Sequence, residues 1–250
     1  MADADSILVI DDEPQIRRAV AAALRDTAAR SVVEAATGAE ALARAAEQPP
    51  DLVVLDLGLP DRDGLAVCRA LRAVTTAPIV VLSARHGDVD KVQLLNAGAD
   101  DYVTKPFSVP ELVARVQAQL RRARLYSAAD DEEHRTVSAG DLVVDLARRT
   151  ASRGGEPLRL TPVEWNLLRV LVLRAGRTLT HRQLFHAVWG RTFGDPRQTL
   201  RVHVTNLRRK LERDPAVPER IVTEPGVGYR FELPAEERPD AAPPAGGPPA

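Results

Sequence analysis

A single cysteine, Cys68, stands in the 250-residue chain, which excludes an intramolecular disulfide framework and any zinc site built from several thiolates. No apolar run is long enough to span a bilayer. The opening Met-Ala-Asp-Ala-Asp puts no basic stretch ahead of the first apolar run at 7–10, so no secretory signal is expected. Internal repeats are absent, and the formal net charge is only −1. What is present is ordinary for globular protein: 44% hydrophobic and 28% charged residues, over a length that allows two domains with their own cores. Cys68 reads as a buried neutral thiol, and the chain as cytoplasmic.

The small net charge conceals a division. Residues 1–123 carry 18 Asp/Glu against 14 Lys/Arg, a net of −4, whereas residues 138–233 carry 10 against 17, a net of +7. An acidic half joined to a basic half suggests that only the second meets a polyanion.

Short β-branched runs at 7–10, 32–34, 52–55, 79–82 and 101–104 alternate with amphipathic helical patterns such as Ile16, Val20 and Leu24 after Pro14. Nearly continuous apolar strands separated by helices imply an α/β fold with a parallel sheet covered on both faces. Five such units fit a doubly wound, flavodoxin-like (CheY-like) sheet of order 2-1-3-4-5 over residues 1–123. The polar, aperiodic 124–137 reads as a linker. Residues 138–233 show short strands at 141–145 and 148–152, helices at 162–174, 181–189 and 198–213, and a terminal hairpin through Pro225-Gly226-Val227-Gly228. That is the pattern of a winged helix-turn-helix. The Pro-, Ala- and Gly-rich 234–250 is expected to be a disordered tail.

In a 2-1-3-4-5 sheet, Asp11, Asp12 and Asp56 converge at the strand ends beside the switch point. Carboxylates this close repel unless a cation joins them, and hard oxygen donors suit Mg²⁺. The neighbouring strand ends supply the Ser83 hydroxyl and the Lys105 ammonium. A metal, a hydroxyl and a lysine around one carboxylate are what a transferring phosphoryl group requires, with Asp56 as nucleophile. Taken singly, Asp11 or Asp12 reads as a helix cap and Lys105 as a surface lysine. A dehalogenase-type phosphatase also uses a nucleophilic Asp at a strand end, but its second acid, two residues on, is here Gly58.

Asp11-Asp12, Leu55-Asp56-Leu57-Gly58-Leu59-Pro60-Asp61-Arg62-Asp63-Gly64, Ser83-Ala84 and Asp101-Tyr102-Val103-Thr104-Lys105-Pro106-Phe107 resemble the receiver domain of two-component response regulators. The resemblance implies phosphorylation of Asp56 by a sensor histidine kinase. It implies Mg²⁺ on Asp12, Asp56 and the Gly58 carbonyl, with Asp11 acting through water. It further implies a phosphoryl group held by Ser83 and Lys105, a cis Lys105-Pro106 bond, and a switch role for Tyr102, which alone would read as packing.

In the basic half, Leu200, Val204, Leu207 and Leu211 share one helical face and should pack inward. Gln198, Val202, Thr205, Asn206 and Arg209 then face outward, flanked by Arg201 and Arg208. Such types suit a major groove, while Arg197, Thr199 and His203 would touch phosphates. An ordinary solvated helix face is the plain alternative. Leu160-Thr161-Pro162-Val163-Glu164, Val188-Trp189-Gly190 and Gly226-Val227-Gly228-Tyr229-Arg230-Phe231 resemble the OmpR/PhoB-type output domain. That resemblance implies a recognition helix at 198–209 and a wing in which Tyr229 or Arg230 reaches DNA. It leaves Trp189 in the core, with its N–H available to a phosphate.

Within that family, 56–61, 81–85, 214–220 and 223–226 are most similar to regulators of potassium-transport operons. The resemblance also implies a homodimer on phosphorylation, with Lys91, Asp100, Asp101, Glu111, Arg115 and Arg122 as an ion-paired face. Read as residues alone, these are exposed charges worth little each. Double-stranded promoter DNA and RNA polymerase are the remaining implied partners. DNA binding independent of phosphorylation and enzymatic phosphate release stand as alternatives.

Overall fold

Five short runs of branched apolar residues build the first sheet: β1 (Ser6–Ile10), β2 (Ser31–Ala35), β3 (Leu52–Asp56), β4 (Ile79–Ser83) and β5 (Asp101–Thr104). The structure, a computed structural model, describes residues 5–27, 31–84, 88–125, 136–190 and 196–234. Every strand pair in this sheet is parallel, and the order is β2-β1-β3-β4-β5. Strands apolar on both sides need cover on both. One face packs α1 (Pro14–Thr27) and α5 (Val109–Leu125) around Val9, Val54, Leu82, Leu112 and Val116. The other packs α2 (Gly38–Glu47), α3 (Gly64–Val74) and α4 (Asp88–Asn96) around Leu8, Val53, Val81, Val67 and Leu94. Cys68 lies in this second layer, where burial pushes its thiol up to about 12, so it is protonated and inert.

The loops at the strands' C-terminal ends are held by local carboxylates. Asp61 accepts from the Gly38 and Ala39 amides at the start of α2, and those bonds hold its carboxyl below the usual range. Asp63 caps α3 through the Ala66 amide. These contacts anchor the β3–α3 loop, which carries Gly58, against its neighbour.

The second half begins with a four-stranded antiparallel sheet, β6 (Thr136–Ala139), β7 (Leu142–Asp145), β8 (Thr150–Arg153) and β9 (Glu156–Pro157). There follow α6 (Pro162–Val172), β10 (Leu179–Thr180), α7 (His181–Trp189), α8 (Pro196–Leu211), β11 (Ile221–Glu224) and β12 (Gly228–Phe231). α6 and α7 each start with a reciprocal capping box, Thr161 with Glu164 and Thr180 with Gln183. β11 and β12 form the wing hairpin, and β10 joins β12 to complete a three-stranded sheet. At Gly228 any Cβ would collide with the Leu179 carbonyl, so this strand position accepts no side chain.

Several boundaries differ from the sequence expectation: the helices expected at 162–174 and 198–213 are Pro162–Val172 and Pro196–Leu211, and the strand expected at 148–152 is Thr150–Arg153. α5 runs to Leu125 and β6 opens at Thr136, so both ends of the supposed linker 124–137 are regular structure. Thr136-Val137-Ser138-Ala139 is short and half polar, and its pairing with β7 fixes it as a strand. Residues 126–135 and the tail from 235 lie outside the described residues, as do the side chains of Lys91 and Arg122.

The halves also touch. α8 packs against α4, and Asp100, just before β5, accepts from the Val163 amide (3.1 Å to Oδ1) and from Trp189 Nε1 (3.1 Å to its carbonyl).

Candidate functional site

β1 and β3 lie side by side in register, so the loop that follows β1 and the last residue of β3 deliver Asp11, Asp12 and Asp56 to one cleft. Carboxylate oxygens of these three residues all fall within 4.8 Å of one another. Asp11 is fully buried, and Asp56 is only 5% exposed. Lys105, placed by β5, reaches in with Nζ 2.9 Å from Asp56 Oδ1 and 3.3 Å from Asp11 Oδ2, and 3.9 Å from Glu13 Oε1. The Lys105-Pro106 bond that precedes α5 is cis. Ser83, at the end of β4, is 1% exposed, and its carbonyl accepts from the Lys105 amide at 2.7 Å.

The electrostatics follow from crowding. Burial pushes the Asp11 carboxyl above its usual range and Asp56 pushes the same way, against the Glu13 amide and Lys105, which pull down. For Lys105 burial works against the charged form. The hydrogen bond and charge of Asp56, with Asp11 behind it, outweigh burial and raise its pKa. One ammonium thus faces three carboxylates. The donor set is hard oxygen at short mutual distance, which fits a divalent cation of Mg²⁺ type. The Asp56 Oδ2 atom is tethered by the Gly58 amide at 3.2 Å, which orients the carboxylate.

The sequence reading missed one member of this neighbourhood. Arg17 on α1 donates to the Asp11 carbonyl at 2.7 Å and pairs with Glu34 on β2, fixing the β1–α1 loop. Only an i-to-i+6 relation links Arg17 to Asp11, which no periodicity argument would single out.

Of the charged groups near β5 expected to form an ion-paired face, Asp100 departs from that expectation. Asp100 is fully buried, bonded to Arg72 and to the Ile79 amide as well as to the second half. Burial raises its pKa despite Arg72. Asp100 is therefore corrected from an exposed charge to an internal one. Arg115 is spanned between Asp101 at 3.3 Å and Glu111 at 2.9 Å within the chain. Tyr102 is half-buried and packs on the α2–α4 side of the sheet.

On α8, Arg197, Arg201, Thr205 and Arg209 are exposed, with Gln198, Thr199 and Asn206 half-buried. His203 is not a surface group. It is 2% exposed, 5.3 Å from the Trp189 ring, and burial drops its pKa to about 3. Three residues after Leu200, it lies on the core side of the helix by ordinary geometry. Val202 is also buried, 8% exposed, although the wheel turns it outward, and α4 of the receiver packs against α8. Arg208 turns inward to the wing, donating to the Ile221 carbonyl and Thr223 Oγ1 with its guanidinium 5.8 Å from the Tyr229 ring centroid. Tyr229 is 6% exposed and meets His181 edge-on. Arg230 is held by Glu224 and Glu232. Trp189 is core, as expected, but its N–H goes to Asp100 rather than to a phosphate.

With this geometry in view, residues 7–117 match the response regulator receiver domain, and residues 155–231 match the transcriptional regulatory protein C-terminal domain. The chain is 47% identical over 226 residues to the transcriptional regulatory protein KdpE of Mycobacterium tuberculosis, covering 90% of this chain and 98% of that one. It is 46% identical over 228 residues to the KDP operon transcriptional regulatory protein KdpE of Escherichia coli, covering 91% and 99%. Among solved structures, a mutant of RitR aligns with a TM-score of 0.74 at 25% identity, covering 92% of this chain and 100% of that one. A paired receiver and DNA-binding domain, on one chain and at this identity, place the protein in the OmpR/PhoB family of two-component response regulators, where it is KdpE-like.

Proposed function

We propose that Asp56 accepts a phosphoryl group from a sensor histidine kinase and that this event drives receiver pairing and promoter binding. The observation that carries the reading is the convergence of Asp11, Asp12 and Asp56 with Lys105 2.9 Å from the acceptor carboxylate. An Asp56 oxygen attacks the phosphorus of a phosphohistidine. The new P–O bond forms as the P–N bond breaks, and the imidazole leaves with the bonding pair and takes up a proton. Lys105 and the Ser83 hydroxyl stabilise the charge on the transferred group, and Tyr102, two residues before Thr104 on β5, follows the movement of Ser83. Mg²⁺ on Asp12, Asp56 and the Gly58 carbonyl, with Asp11 behind it, supplies charge neutralisation when bound.

The phosphorylated receiver then pairs with a second copy through α4, β5 and α5, using Asp101, Glu111 and Arg115. Pairing raises the effective concentration of two winged helices on a two-fold operator. Gln198, Arg201, Thr205, Asn206 and Arg209 read bases, with Arg197 and Thr199 on phosphates. The KdpE relatives support a potassium-transport operon as target. The lack of an acid at Gly58 favours a retained signal over rapid turnover.

The test is phosphoryl incorporation with acetyl phosphate and Mg²⁺, followed by mass, oligomeric state and binding to duplexes from a potassium-transport promoter. Wild type gains one phosphoryl group, dimerises and binds more tightly, and Asp56→Ala does none of these. Unchanged affinity and oligomeric state in a fully phosphorylated chain would overturn the gating.

A further inference from the structure

We propose that the chain's own tail, residues 235–250, docks on the output domain, with Glu236, Glu237 and Asp240 lying in a cationic groove between α6 and α7. The contact withdraws two arginines from DNA phosphates. It is independent of Asp56 and so lies outside the phosphorylation-gated reading above.

The groove has a volume of about 490 Å³. Its floor is apolar: Val170 of α6 and Leu179 of β10 are 4% and 8% exposed. Its rim is basic. Arg174, two residues past the end of α6, and Arg182 and His186 of α7 are all exposed. Arg182 and His186 are four apart on α7, so one helical turn puts them on the same side. Among the described residues, none of these three side chains makes an ion pair or a hydrogen bond, and no carboxylate lines the groove. Other arginines of the domain differ in this respect, since Arg208, Arg220 and Arg230 are each bound to a carbonyl or an acid. Unpaired cations around an apolar floor are complementary to an anionic segment that also carries apolar surface.

The tail has that composition. Residues 235–250 hold three acids, Glu236, Glu237 and Asp240, against one cation, Arg238, a net of −2, and everything else is alanine, proline or glycine. The route to the groove is short. β12 ends at Phe231, whose carbonyl accepts from the Gly176 amide at 2.8 Å, and Gly176 is two residues from Arg174 on the rim. At about 3.4 Å per extended residue, Glu236 to Asp240 reach roughly 17 to 30 Å from Phe231, enough to cross a groove of this size. Exposed carboxylate–guanidinium pairs are individually weak and would not hold a separate peptide. A short tether supplies an effective concentration in the millimolar range, so a few weak pairs suffice within one chain. The tail lies past residue 231, where the match to the C-terminal domain ends, so this occupant is a feature of this chain. Docked, it neutralises Arg174 and Arg182 and leaves the exposed arginines of α8 free. Attraction to phosphates of any sequence falls, while the base-reading face is untouched.

The experiment is paramagnetic NMR on the full chain, followed by DNA titration. Cys68 is buried with its thiol protonated, so a nitroxide can be attached through Ala242→Cys alone. The amides of Gln183 and His186 should broaden, and about half or more of that broadening should go when Glu236→Gln, Glu237→Gln and Asp240→Asn are made together. Broadening that the neutral tail reproduces overturns the docking. Broadening seen only when an isotope-labelled chain without nitroxide is mixed with a nitroxide-bearing one puts a second copy's tail in the groove and overturns the intrachain contact. The DNA titration compares wild type, the neutral tail, Arg174→Gln with Arg182→Gln, and the combination, on a duplex of unrelated sequence at low salt. The neutral tail should bind roughly threefold to tenfold more tightly than wild type. That gain should vanish where the two arginines are absent. No gain, or an equal gain in both backgrounds, overturns the masking of the groove, the second because the tail would then be repelling DNA without covering these arginines.

Discussion

The receiver and the output domain use charge in opposite ways. In the receiver, the groups assigned to chemistry are sheltered and mutually constrained: Asp11 and Asp56 are buried, Lys105 is half-buried, and the three are fixed by each other and by strand ends. In the output domain the basic residues are divided. Arg208 ties α8 to the wing, and Arg220 binds Asp141 and the Leu211 and Ala139 carbonyls. Arg153 reaches the Glu212 carbonyl. Among the described residues of α8, only the arginines Arg197, Arg201 and Arg209 are exposed enough to meet a polyanion directly. A net positive charge therefore overstates the DNA-binding surface, because much of it is internal scaffolding, whereas a cluster of buried acids understates nothing.

Four substitutions sharpen that contrast. Lys105→Ala should slow phosphoryl incorporation from acetyl phosphate by roughly 10²-fold, since it removes one preorganised cation from the transferring group. A loss below threefold would show that the ammonium is not part of the site. Gly228→Ala should destabilise the output domain by about 1–3 kcal/mol or more in denaturant titrations, because a Cβ meets the Leu179 backbone. Phosphorylation of Asp56 should be untouched, and a parallel loss there would mean the domains do not fold separately.

The arginine pair gives a smaller effect. Arg209→Ala should weaken duplex binding by about 1–2 kcal/mol with stability unchanged. Arg208→Ala should lower stability by a comparable amount through the loss of its wing contacts. Equal effects of both on binding alone would erase the distinction between scaffold and surface.

The smallest effect is on pH. His203 has its folded pKa depressed to about 3 from an ordinary 6.5, so between these values the unfolded chain binds a proton that the folded chain does not. Its contribution is complete above 6.5 and falls as pH drops toward 3. The unfolding midpoint of the output domain should decline from about pH 7 to about pH 5 in wild type, and less steeply in His203→Gln. Identical slopes would place a different group in control.

Much of the receiver was legible because its signals are local. The five apolar runs became strands within a residue of their expected ends, and strand order then dictated which termini meet. The output domain was less legible. β9 and β10 have two residues each and exist only through pairing. Val202 reads as an outward residue on the helical wheel yet is buried, since the wheel counts only the helix's own periodicity.

Apolar patterning, capping sequences and the residue types at strand ends determined the two folds and the chemistry available at Asp56, because each rests on contacts that a short stretch of chain specifies. The fate of Asp100 was decided by the tertiary structure alone. Its partners Val163 and Trp189 lie 63 and 89 residues away, on a domain of opposite charge. Whether a carboxylate is a surface ion or the buried joint of two domains depends on what folds over it, and no local pattern encodes that.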